Sequence, residues 1–145
     1  MRHHLVLRIV TKMLIGPILL FALYVQFHGD FGPGGGFQAG VIFAAGFVLY
    51  ALVFSLDTAR KVVPIGWLRF LVAFGFLLYA AVGVAGLLLG GNYLDYFVLA
   101  SSDSAGQHLG ILIIELGVGI TVAAVMVSIF FSFAARPPKI RDEDW

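Results

Sequence analysis

Four stretches of this chain run for about twenty residues with almost no charge, and that feature limits the possible folds more than any other. They cover approximately Leu5 to Phe27, Phe37 to Leu56, Trp67 to Leu89 and Gln107 to Phe133. A helix of about twenty apolar residues spans the roughly 30 Å hydrocarbon layer of a bilayer. Within that layer every backbone polar group must be satisfied internally, which favours helices. The 145 residues are 61% hydrophobic and only 12% charged, about half the charge of an ordinary soluble domain. The expected class is all-α integral membrane, with four transmembrane helices in one domain over residues 1–145. Met1-Arg2-His3-His4 resembles the start of a signal peptide. The apolar run after it is too long, and no small-x-small cleavage site follows, so the first helix is expected to be retained.

Arg2, Arg8, Lys12, Arg60, Lys61, Arg69, Arg136, Lys139 and Arg141 all fall at the termini, in the link between the second and third spans, or at helix ends on that side. The other two connections carry none. The positive-inside rule then predicts cytoplasmic termini and two outward-facing connections. The last residues, 137–145, read as a charged cytoplasmic tail.

One connection is unusual. Between the first two spans lies His28-Gly29-Asp30-Phe31-Gly32-Pro33-Gly34-Gly35-Gly36-Phe37-Gln38-Ala39-Gly40. Pro33 stops a helix, and Gly34, Gly35 and Gly36 reach backbone angles closed to other residues. A plain turn needs one or two such residues. This many predict a backbone packed closely against another element or folded back toward the bilayer. The run is not a phosphate loop, because no Lys-Ser/Thr pair follows it.

Glu115 is the strongest candidate for chemistry. It lies within Ile111-Leu112-Ile113-Ile114-Glu115-Leu116-Gly117-Val118, about two turns, or roughly 12 Å, from the expected outer end of its helix. An ionised carboxylate there is costly unless paired or hydrated. Apolar surroundings disfavour the charged form, which suits a reversible proton carrier. The structural alternative is an acid tied to a cation on another helix or subunit. Lys12 sits deeper than an interfacial lysine needs to, and either lines a polar path or snorkels to the headgroups. His28 and Asp30 stand at the outer mouth, as helix-end residues or as an entry point for protons or cations. His108 shares a helical face with Ile111 and Glu115, which suggests a short relay.

Other chemistry is excluded or unsupported. The chain has no cysteine, so thiol catalysis and iron–sulfur ligation are ruled out. There is no paired-histidine metal spacing and no basic aromatic patch for nucleic acid. No cofactor and no self-contained enzyme are expected.

At Pro33-Gly34-Gly35-Gly36-Phe37-Gln38-Ala39-Gly40 the chain resembles the MnhB family, the B subunit of Mrp-type multisubunit Na+/H+ antiporters. The family also occurs as a module of energy-converting hydrogenases. Thr11-Lys12, the link Leu56-Asp57-Thr58-Ala59-Arg60 with Pro64 after it, and Glu115-Leu116-Gly117-Val118 carry the resemblance along most of the chain. Two positions depart from the family pattern. Many members have histidine three residues before the motif proline, where this chain has Asp30. At Glu115 the match is of charge type, with Asp or Glu expected among relatives. The resemblance implies an accessory subunit in the cell membrane. Its implied partners are the C-terminal part of the large A subunit, the small E, F and G subunits, and C and D. It also implies a place beside a route for Na+ and H+. The alternatives are an ion-translocating subunit of a hydrogenase-type complex and a purely structural scaffold.

Overall fold

The computed structural model describes residues 5–29 and 32–136. Asp30 and the tail at 137–145 therefore lie outside the described residues. The described chain is helical: α1 (Leu5–His28), α2 (Gly36–Phe54), α3 (Leu56–Val62), α4 (Ile65–Leu88) and α5 (Asp103–Ala134), with one 3₁₀ turn at Phe97–Leu99. Helices α1, α2, α4 and α5 are long and apolar enough to cross a membrane.

The connection after α2 contains more structure than a polar link. Ser55 adopts a positive φ of 94° and breaks the helix axis. Its hydroxyl then accepts from the Thr58 backbone N–H at 3.5 Å and caps α3. Asp57 in the first turn and Arg60 and Lys61 in the last match the helix dipole. Helix α5 also starts a turn earlier than its apolar run, because Ser102 accepts from the Ala105 N–H and Asp103 opens the first turn. The segment before it is tied down by aromatic rings. Tyr93 lies against Gly83 and Tyr96 against Gly110, each too close to allow a side chain on the glycine. Burial and the nearby Tyr79 phenol raise the Tyr96 phenol above its ordinary value, so it stays neutral at physiological pH and serves as packing.

The spans pack in the order α1, α2, α5, α4. In lipid there is no hydrophobic drive to bring helices together, so close backbone approach must supply dispersion contacts. Small residues provide it here. A side chain at Gly40 would stand 2.7 Å from the Gly119 carbonyl oxygen, and one at Gly75 would stand 2.6 Å from that of Gly117. The core at the end away from the glycine hairpin consists of Ala44, Ala51, Ala59, Leu68, Ala124, Val127 and Phe131. Arg60 closes that end: its Nη2 donates to the Phe131 carbonyl at 3.4 Å. The hydroxyls of Thr121, Ser128 and Ser132 each donate to a carbonyl four residues back in α5, so they are satisfied within their own helix.

Candidate functional site

The glycine hairpin docks on Glu115. Gly34 and Gly35 bring the chain back against the end of α1, where the Gly35 N–H donates to the Val25 carbonyl at 3.3 Å. Gly35 has φ 124°, a conformation that glycine adopts far more readily than residues with a Cβ. At the first residue of α2, Gly36 lies directly on the backbone of α5. A side chain at position 36 would stand 2.9 Å from the Glu115 carbonyl carbon and 3.0 Å from its Cα, and closer still to the carbonyl oxygen. The contact is backbone on backbone, so no rotamer change could relieve it.

The Glu115 carboxylate extends into the hairpin. A side chain at Gly29 would meet Oε2 at 3.0 Å and Oε1 at 3.3 Å, and one at Gly35 would meet Oε1 at 3.1 Å. Gln38 brings its side-chain oxygen to within 3.4 Å of the same point at Gly35. Glu115 is half-buried, with the backbone of the α1–α2 connection on one side and apolar neighbours on its own helix. It lies twelve residues after Asp103, so about 18 Å down α5. That is deeper along the helix than the sequence suggests, because α5 begins at Asp103.

The sequence candidates separate into groups. Glu115, Gly34, Gly35 and Gly36 come together in the cradle. Pro33 and Phe37 flank it and are exposed. His28 ends α1 beside the hairpin, stacked on Tyr24 with ring centroids 4.9 Å apart, and its Nε2 faces Gly32. His108 is exposed, seven residues nearer the start of α5 and so about 10 Å from Glu115 along the axis. Lys12 stands at the opposite end of the molecule. It is sixteen residues before His28, about 24 Å along α1, with its ammonium 5.7 Å from the Phe54 ring. Arg8 lies over the same ring at 5.2 Å.

Two residues at the hairpin escape a sequence reading. Gln38 lies inside the glycine motif and reaches the cradle. Gln26 is 6% exposed and presses its Oε1 on Gly119, one turn along α5 from Glu115. The available signal was polarity: Gln26 is an uncharged amide in the apolar run Tyr24-Val25-Gln26-Phe27. Among the described residues no group of His, Asp and Glu is arranged to hold a metal ion.

A family described as a domain related to the MnhB subunit of Na+/H+ antiporter matches residues 6–128. The antiporter subunit mnhB2 of Staphylococcus aureus strain MRSA252 is 31% identical over 135 residues, covering 91% of this chain and 95% of that protein. The subunit of the same name from strain Newman is 33% identical over the same shares.

Proposed function

The chain belongs to the MnhB family, and from that premise we propose that it is an accessory membrane subunit of a multisubunit Na+/H+ antiporter in which Glu115 forms part of the ion route. The observation that carries the site assignment is the cradle: the glycine motif that marks the family resemblance folds onto the carboxylate of Glu115. Backbone contact of this kind fixes the position of the carboxylate. A fixed acid within a membrane-spanning helix is suited to exchange a proton or to attract a cation.

In this reading the working partners are the large A subunit and the other Mrp-type subunits, and the complex sits in the cell membrane with both termini cytoplasmic. The chain is a transport component rather than an enzyme. Pro33 and Phe37, exposed beside the cradle, set the hairpin against a partner. His28 forms the outer mouth, Asp30 adds a negative charge to the same connection, and His108 feeds it from above. Lys12, at the far end, adjusts the charge at the cytoplasmic surface.

The test is cation-dependent proton exchange in membrane vesicles that carry the whole complex. Glu115→Gln keeps the shape and removes the charge, and Glu115→Ala removes both. Each is expected to lower exchange by at least about a hundredfold, the weight of a general acid–base group. Co-purification of the other subunits should be unchanged. Wild-type exchange in both variants would defeat the assignment. Co-purifying iron–sulfur subunits would place the chain in a redox-driven complex instead.

A further inference from the structure

A cavity of about 330 Å3 lies between the four spans. Its lining on α5 extends from Leu116 to Val127, about 16 Å along the axis. Leu23 of α1, Phe43 and Phe47 of α2 and Leu68 of α4 form its other walls. Leu23 and Leu116 are also exposed, so the cavity is open on one side at membrane depth. The lining is almost wholly carbon, and such a space stays dry. The volume spread over that length leaves about 20 Å2 in section, room for one hydrocarbon chain, whereas a helix roughly 10 Å across needs about four times as much.

Two of these walls continue to a pair of cations. On α2, Phe54 follows Phe47 by about two turns, and Tyr50 stacks on Phe54 with ring centroids 4.9 Å apart. On α1, Lys12 stands eleven residues before Leu23 and Arg8 stands eighteen before Gln26, about three and five whole turns. Leu23 and Gln26 line the cavity, so both cations share that face of α1. They meet at Phe54, with the Lys12 ammonium 5.7 Å and the Arg8 guanidinium 5.2 Å from the ring centroid. That point lies about 10 Å beyond Phe47 along α2. Trp67, exposed beside Leu68 at the start of α4, suits the boundary between hydrocarbon and headgroups. Among the described residues the acid at this end is Asp57, against Arg8, Lys12, Arg60, Lys61 and Arg69.

We infer that this face is a binding site for an anionic phospholipid of the leaflet on the basic side, with one acyl chain in the cavity and the phosphate held by Arg8 and Lys12. Basic residues between membrane helices on the cytoplasmic side recognise headgroups of this charge. The guanidinium offers paired N–H donors to phosphate oxygens, and the ammonium adds a point charge. Two cations gathered on one ring repel each other, and a phosphate beside them relieves that repulsion. The glycerol and the first methylenes bridge the distance from Phe54 to the lower end of the cavity. The rest of the chain fills the carbon-walled space and gains its dispersion contacts. The site does not depend on the role of Glu115.

The test uses the whole complex reconstituted in phosphatidylcholine vesicles that hold a minor share of phosphatidylglycerol with a photoactivatable diazirine on its acyl chain. After illumination this chain is isolated, and adducts are located by peptide mass. Adducts are expected on the cavity-lining peptides of α1, α2 and α5, displaced by unlabelled phosphatidylglycerol but not by added phosphatidylcholine. Arg8→Gln and Lys12→Gln should each weaken labelling about fivefold, and the pair about thirtyfold, the weight of one and two cations near an anionic headgroup, with subunit composition unchanged. Arg69→Gln removes an exposed cation outside the lining and should have no effect. Ala123 lines the cavity, so Ala123→Trp should abolish the adducts with both cations in place, and the milder Ala123→Leu should reduce them. An intact complex without adducts in the cavity would mean that a partner subunit covers it, and would overturn the inference. Displacement by both lipids alike, or equal losses from Arg69→Gln and Lys12→Gln, would leave a hydrocarbon-filled cleft with no headgroup site and would overturn it as well.

Discussion

At position 36 two effects of a single methyl group oppose each other. Alanine favours helix over glycine by about 1 kcal/mol in a helix interior, and less at a first residue. Against that, the added carbon would press on the Glu115 backbone, and overpacking of this kind costs about 1–3 kcal/mol even where neighbours can shift. The clash should win. Gly36→Ala is expected to push the hairpin off α5, lower the thermal stability of the chain within its complex, and reduce exchange severely. Unchanged melting and exchange would show that the hairpin is not seated as described. Gly66 provides the control, because nothing lies within 4 Å of a side chain added there. Gly66→Ala should leave both readouts unaltered. The sequence made part of this residue-scale picture legible. Glu115 is conspicuous as an acid in an apolar run, and the glycines announce a close approach. Their meeting is not legible, because Gly36 and Glu115 are separated by 79 positions and no local pattern pairs them. Gln26 was missed for a similar reason. Its burial comes from the face of α5 that α1 meets, and its neighbours in sequence do not reveal that face.

At the scale of elements, α5 organises the fold, with α2 on one side, α4 on the other, and α1 touching it at Gln26. The four spans were legible because apolar length alone reports them. Their ends were less so. Capping by Ser55 and Ser102 adds α3 and extends α5, and short polar segments carry no apolar period to reveal a helix. The α4–α5 seam is another close contact between spans, with Gly75 set against Gly117 and Thr121. Gly75→Val should therefore separate these helices and lower the yield of assembled complex, measured by co-purification. Valine at Gly66 should not. Equal yields from the two variants would mean that the glycine seam contributes little to assembly.

The whole molecule is polarised by charge. Arg8 and Lys12 meet at Phe54, Arg60 closes the end of α5, Lys61 and Arg69 lie on α3 and early α4, and Arg136 follows α5 over the Phe133 ring. The opposite end carries the glycine hairpin and a connection with Asp95 and Asp103 but no Lys or Arg. Positively charged loops are retained on the cytoplasmic side during insertion. The hairpin and the cradle of Glu115 should therefore face outward. The lack of cysteine makes this readable by single substitutions. Ser101 is exposed before α5, and Ser55 is exposed between α2 and α3. In intact cells a membrane-impermeant thiol reagent should label Ser101→Cys and leave Ser55→Cys untouched, and inverted vesicles should reverse the result. The opposite pattern would turn the molecule over. Glu115 would then take its protons from the cytoplasm, and the basic cluster would lie at the outer surface, against the charge rule that every other feature of the chain obeys.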